Sequence, residues 1–164
     1  GAQRYDEEMK SITEASHIVI VARDYAEKYT GTTDLEEACR IIYERGALIA
    51  GVTDGANGSY FVWPDGTFYR CQAFPQEHVV TTGAGDSFHG AFLSKLVTLL
   101  SELAAVEWGA SSTYAIDLLQ HCGHSDLEKA AIFASAVAAL NTQGIGGRSP
   151  LPSLQVVHKL MGLE

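Results

Sequence analysis

The chain has 164 residues, 46% of them hydrophobic, which is enough for residues 1–164 to form a single domain with its own core. A formal charge of −9, from 20 acidic against 11 basic residues, excludes the basic footprint that holding nucleic acid along a surface requires, although a few backbone N–H groups at a helix terminus can still hold a phosphate. Cys39, Cys71 and Cys122 are too few and too widely spaced for a disulfide framework, no apolar run is long enough to span a membrane, and the first residues lack the order of a signal peptide, so a soluble, cytoplasmic protein with no membrane partner is expected.

A polar, helix-like segment opens the chain. Ile18 to Val21 is a β-branched run followed by Asp24 as expected N-cap, a brief helix and Gly31 as its stop. Thr33 and Asp34 then precede a helix in which Leu35, Ala38, Cys39, Ile42 and Tyr43 keep helical spacing up to Gly46, and Ala47 to Val52 reads as a buried strand. Strand, helix and strand at this spacing form a βαβ unit and predict a parallel pair covered by helices. After the glycine-rich turn 54–58, SYFVW and TFYRCQAF are joined by Pro64-Asp65-Gly66, which predicts an antiparallel hairpin whose Tyr60 and Trp63 are packing residues.

Val79-Val80 leads into a glycine-rich loop that opens a helix with Phe88, Ala91, Phe92, the Lys95 stem and Leu96 on one face. Residues 101–124 contain a further helical stretch with a polar interruption. Ser125 and Glu128 predict a capping box for an alanine-rich helix through Asn141, and after the loop 144–152 Ser153 should cap a short last helix. His121, Cys122 and His124 stand close in sequence, but a zinc site needs further ligands and none stands out, so no metal ligands are assigned and the run reads as a solvated connection. His89 likewise reads as an ordinary polar position near the helix start.

Thr82-Gly83-Ala84-Gly85-Asp86 is the informative segment. Small residues let backbone N–H groups approach an anion at the positive end of a helix, and a carboxylate on the first turn can take a proton from an attacking hydroxyl. The plainer reading is a small-residue turn with Asp86 as a helix cap.

VVTTGAGDSFHGAF resembles the signature of the ribokinase-like (PfkB) carbohydrate kinases, Asp-Thr-Xaa-Gly-Ala-Gly-Asp, and VTDGANGS at 52–59 resembles the family's nucleotide loop. The hairpin, the alanine-rich helix and the 144–152 loop follow in the family's order, and VIVARDYAEKYTG with CQAFPQEHVV looks nearest to ketohexokinase-like members. The resemblance implies a partial three-layer α/β/α fold, with a mainly parallel sheet, an antiparallel hairpin and the ATP site at the C-terminal ends of the strands. It implies phosphoryl transfer from Mg-ATP to a sugar hydroxyl, with Asp86 as catalytic base and Gly83, Ala84 and Gly85 as anion hole. Thr53, Gly55 and Gly58 would contact the nucleotide, and Ser135 would lie near the adenine.

The chain departs from the pattern in three places. Val80 stands where the signature has its first Asp, unless a one-residue deletion has removed that position, and either way a carboxylate is missing, which puts activation by a monovalent cation in doubt. The family's Asn-Xaa-Xaa-Glu would fall at Ala22 to Tyr25, and neither residue is present, a departure shared with ketohexokinase-like members. Family members are also considerably longer, so the resemblance covers the C-terminal, nucleotide-binding half and leaves the sugar contacts elsewhere. Residues 101–124 look longer than the family's connection, and a homo-oligomer contact is one use for them. Two other readings stand beside the sugar kinase: a non-catalytic nucleotide-binding module descended from one, and a nucleoside kinase of the same superfamily.

Overall fold

The structure, a computed structural model, describes residues 2–77, 82–107, 115–143 and 152–163. Two compact units divide the chain, one of Gly1–Asp54 with Tyr60–Arg70 and one of Gly55–Ser59 with Cys71–Glu164.

In the first unit, α1 (Ala2–Glu14) precedes β1 (Ile18–Ala22), and β1 passes directly into α2 (Arg23–Thr30). The N-cap of α2 is therefore Ala22, which offers no side-chain cap, and Asp24 lies inside the first turn instead of capping it. Without a connecting loop the strand's last residue has to serve as the helix's first flank, so the expected cap at Asp24 is corrected. Gly31 ends α2 at φ 82°, a left-handed conformation that glycine adopts without a Cβ penalty, with its N–H donating to the Glu27 carbonyl at 2.9 Å. Asp34 caps α3 (Leu35–Glu44) as expected, its Oδ1 accepting from the Glu37 N–H at 3.0 Å.

The crossover through α2 and α3 brings β2 (Ile49–Thr53) parallel to β1, with Ile18 opposite Ile49 and Ala22 opposite Thr53. The helices pack on this pair through Ala26, Leu35, Ala38, Cys39 and Ile42, against Val19, Ala50, Val52 and Val62. Full burial of a residue such as Ile42 or Val52 contributes about 1.5–3 kcal/mol, so this inner face holds the βαβ unit together.

The sheet continues in the order β1-β2-β3-β4, with β3 (Ser59–Val62) and β4 (Phe68–Cys71) joined by a tight turn. The Gly66 N–H donates to the Trp63 carbonyl at 2.8 Å and the Trp63 N–H to the Thr67 carbonyl at 2.9 Å. Gly66 sits at φ 82°, and Asp65 Oδ1 accepts from the Thr67 N–H. The link from β2 to β3 is too short for a parallel crossover, so those strands also run antiparallel and the sheet is mixed. Trp63 is buried, stacking on Phe61 at 4.7 Å and Tyr69 at 5.7 Å, while half-buried Tyr60 stacks on Phe68 at 6.4 Å.

The second unit is mainly helical: α4 (Ala84–Glu107), α5 (Ala115–His121), α6 (His124–Asn141) and α7 (Leu154–Leu160). The long α4 absorbs the first part of the 101–124 stretch. Its buried Phe88, Ala91, Phe92 and Leu96 form the face that the spacing predicted, with Lys95 half-buried beside them, and Leu99 is buried as well. Along the packed pair α4 and α6, Ala130, Ala131 and Ala134 are buried, and such small residues let two helices approach closely. The capping box is a second correction: α6 begins at His124 with Gly123 as N-cap and no side-chain cap, which leaves Ser125 within the first turn. Ser153 caps α7 as expected, accepting from the Val156 N–H, and Val157 is buried.

Candidate active site

Gly83 precedes α4 at φ 86°, and its carbonyl accepts the helix's first bond, from the Ser87 N–H at 2.9 Å. A residue with a Cβ in that conformation would be strained by about 1–2 kcal/mol, so the way this helix opens depends on glycine. The N–H groups of Ala84, Gly85 and Asp86 have no carbonyl four residues back within the helix to bond, and they form its positive end. Among the described residues, a Cβ added at Gly85 would meet nothing within 4 Å. Asp86 lies in the first turn with its side chain exposed, where the helix dipole favours a carboxylate. Phe88 and Phe92, stacked at 6.5 Å and buried, anchor the next turn. His89 Nδ1 lies 2.6 Å from the Gly85 carbonyl, a contact that requires the proton on Nδ1.

The other expected nucleotide contacts in this unit are built on close backbone approach. Gly55, at φ 51°, opens a 3-10 turn (Gly55–Asn57), and Gly58, at φ 97°, closes it with its N–H donating to the Gly55 carbonyl at 3.1 Å. A Cβ on Gly58 would stand 2.1 Å from the Cys71 carbonyl oxygen and 3.2 Å from the Ala73 nitrogen. Only glycine lets the turn lie against the backbone at the end of β4. On that same stretch the Gln72 carbonyl accepts from buried Ser135 Oγ at 3.1 Å. The Ser135 hydroxyl has spent its proton there and retains only lone pairs. Residues 71–73 thus tie the Gly55–Gly58 turn to α6, and α6 packs against α4, which carries Asp86.

Thr53 ends β2 in the first unit, half-buried, its Oγ1 donating to the Val21 carbonyl at 3.4 Å. Nothing in the sequence reading anticipated the pair next to it. Arg23 Nη1 donates to Asp54 Oδ2 at 3.1 Å and Arg23 Nε to Glu27 Oε1 at 2.7 Å. The signal was present, because Arg23 and Asp54 each follow the last residue of a strand in the βαβ unit, and parallel pairing sets such residues side by side. Val80 and residues 144–151 lie outside the described residues. Cys122 is buried, and burial pushes its thiol up to about 11. His121 Nδ1 lies 2.6 Å from the Asp117 carbonyl, and among the described residues no three metal-ligating side chains gather.

Set against known proteins, residues 1–154 match the profile of the pfkB family carbohydrate kinases. A 5-dehydro-2-deoxygluconokinase of Bacillus subtilis is 33% identical over 104 residues, which cover 62% of this chain and 32% of that protein. Among solved structures, a fructokinase from Vibrio cholerae O395 in a fructose, ADP and calcium ion bound form superposes with a TM-score of 0.76 at 21% identity, over 99% of this chain and 46% of that one. An aminoimidazole riboside kinase from Salmonella enterica, complexed with aminoimidazole riboside and an ATP analogue, gives 0.71 at 19% identity, over 98% and 47%. The chain spans about a third of the length of that curated relative and under half of each of these structures.

Proposed function

This chain belongs to the pfkB family of carbohydrate kinases, its α/β fold is ribokinase-like, and from that premise we propose that it carries the nucleotide half of an ATP-dependent sugar kinase. The observation that carries the reading is the start of α4, where Gly83 at φ 86°, a Gly85 whose added Cβ would meet no described residue within 4 Å and an exposed first-turn Asp86 occur together. Mg-ATP is the substrate, and magnesium arrives with its phosphates. The Gly83-Ala84-Gly85 backbone faces the γ-phosphoryl group and stabilises the charge on its equatorial oxygens during transfer. Asp86 takes the proton of a sugar hydroxyl attacking in line. Thr53, Gly55 and Gly58 serve the rest of the nucleotide, and Ser135 acts through its hold on the Gln72 carbonyl, leaving an oxygen that can only accept. Val80, where the family signature has an Asp, argues against activation by a monovalent cation. Cys39, Cys71 and Cys122 are buried thiols outside any disulfide, which suits the reducing cytoplasm.

The test is calorimetric titration of this chain with magnesium and a non-hydrolysable ATP analogue, beside the same titration of Gly85→Val. Binding by the unaltered chain that the variant abolishes is the expected result. Undiminished binding by Gly85→Val would refute the phosphate assignment. In the active kinase, assayed over a panel of sugars and nucleosides, Asp86→Asn should abolish turnover and leave nucleotide affinity in place. Near-normal turnover would remove Asp86 as base, and a nucleoside preferred over every sugar would move the enzyme to the nucleoside branch of the superfamily.

A further inference from the structure

Resting on that nucleotide reading, we infer that Arg23 is a positioning residue, which fixes the end of β2 from which the nucleotide turn departs by clamping Asp54. Parallel pairing of β1 and β2 ends at Ala22 opposite Thr53. The next residue on each side continues the pairing through side chains, as Arg23 Nη1 reaches Asp54 Oδ2 at 3.1 Å. The guanidinium is itself aimed from below, since its Nε donates to Glu27 Oε1 at 2.7 Å one turn along α2. A planar fork with donors on two edges can satisfy two carboxylates lying in different directions, whereas a single ammonium cannot hold both with the same orientation. Asp54 retains only 14% of its side-chain exposure, so its carboxylate is held in one place and poorly screened. It stands directly between Thr53 and Gly55, where the chain turns to φ 51°.

The position of Asp54 makes the inference sharply testable. An acidic side chain in a polyanion-binding turn should weaken binding by charge alone, and its removal should then tighten it. The clamp requires the opposite sign. In titrations of this chain with magnesium and adenylyl imidodiphosphate, Arg23→Ala and Asp54→Asn should each weaken binding by about tenfold. The double variant should be no weaker than either single one, because both break the same contact. Arg23→Lys should recover part of the loss. The pair is partly exposed, so thermal midpoints should stay within a few degrees of the unaltered chain. That readout separates positioning from general destabilisation.

Tighter or unchanged binding by Asp54→Asn would overturn the inference, the former pointing to Arg23 as a direct phosphate contact. So would additive losses in the double variant, or losses that track a fall in the thermal midpoint. If Gly85→Val abolishes binding while the pair variants leave it intact, only the clamp fails and the nucleotide reading stands. No binding by the folded, unaltered chain would overturn both together.

Discussion

Three glycines that look alike in the sequence do different things. Gly58 combines φ 97° with a Cβ position 2.1 Å from the Cys71 carbonyl oxygen, whereas a Cβ on Gly85, which lies in a helix, would meet no described residue within 4 Å. Gly58→Ala should therefore lower stability by about 2–4 kcal/mol in urea unfolding, because strain and a backbone clash add. Gly85→Ala should raise stability by about 0.5–1 kcal/mol, the entropy that a helical glycine costs, while it weakens nucleotide binding. Stability and binding moving in opposite directions at Gly85 would mark it as a residue kept for the ligand. Gly83 needs its hydrogen for the conformation alone. The buried thiols add a pH signature. Burial pushes Cys39 up to about 12 and Cys122 to about 11 from an ordinary value near 9. Above about pH 9 the unfolded chain releases thiol protons that the folded chain keeps, so these groups lower stability as pH rises and are neutral below it. Urea midpoints should fall between pH 8.5 and 10.5, and Cys39→Ala should show a shallower fall than the unaltered chain.

At the scale of elements, the sequence was most legible where one signal dominated. The β-branched run at 18–21, Asp34 before a strictly periodic helix and Pro64-Asp65-Gly66 between aromatic runs each read correctly, because hydrophobic period and turn chemistry agree there. Capping was misread twice. Asp24 and Ser125 are good cap residues, but a helix begins where the chain can enter it, and the extended flank stands two residues earlier in both cases, at Ala22 and Gly123. The Arg23–Asp54 contact could be read only by combining two segments: each residue follows the last one of a strand, and it is the parallel register that sets them side by side. Candidate site residues were read from the resemblance, and the structure puts Gly55 and Gly58 on a 3-10 turn and Asp86 in the first turn of α4, but the Ser135 bond to Gln72 could be seen only in three dimensions. The alanine-rich α6 does read from sequence, as a helix with small residues where others carry bulk. Its Ala131 and Ala134 are completely buried, so Ala131→Leu should overpack the core around α6 and cost about 1–3 kcal/mol, measured by thermal or urea unfolding.

At the scale of the whole chain, a formal charge of −9 would repel a nucleotide at long range, so the proposed binding would rely on backbone N–H groups at contact distance and on magnesium carried with the phosphates. β1 carries a consequence of its own: its sequence, Ile-Val-Ile-Val-Ala, has no proline or charge along it. A strand of that kind pairs readily with other copies of itself once unfolding uncovers it. Light scattering should therefore rise near the thermal midpoint and rise more at higher concentration, and Ile18→Lys should suppress it, so the strand that starts the fold also decides how cleanly the chain unfolds.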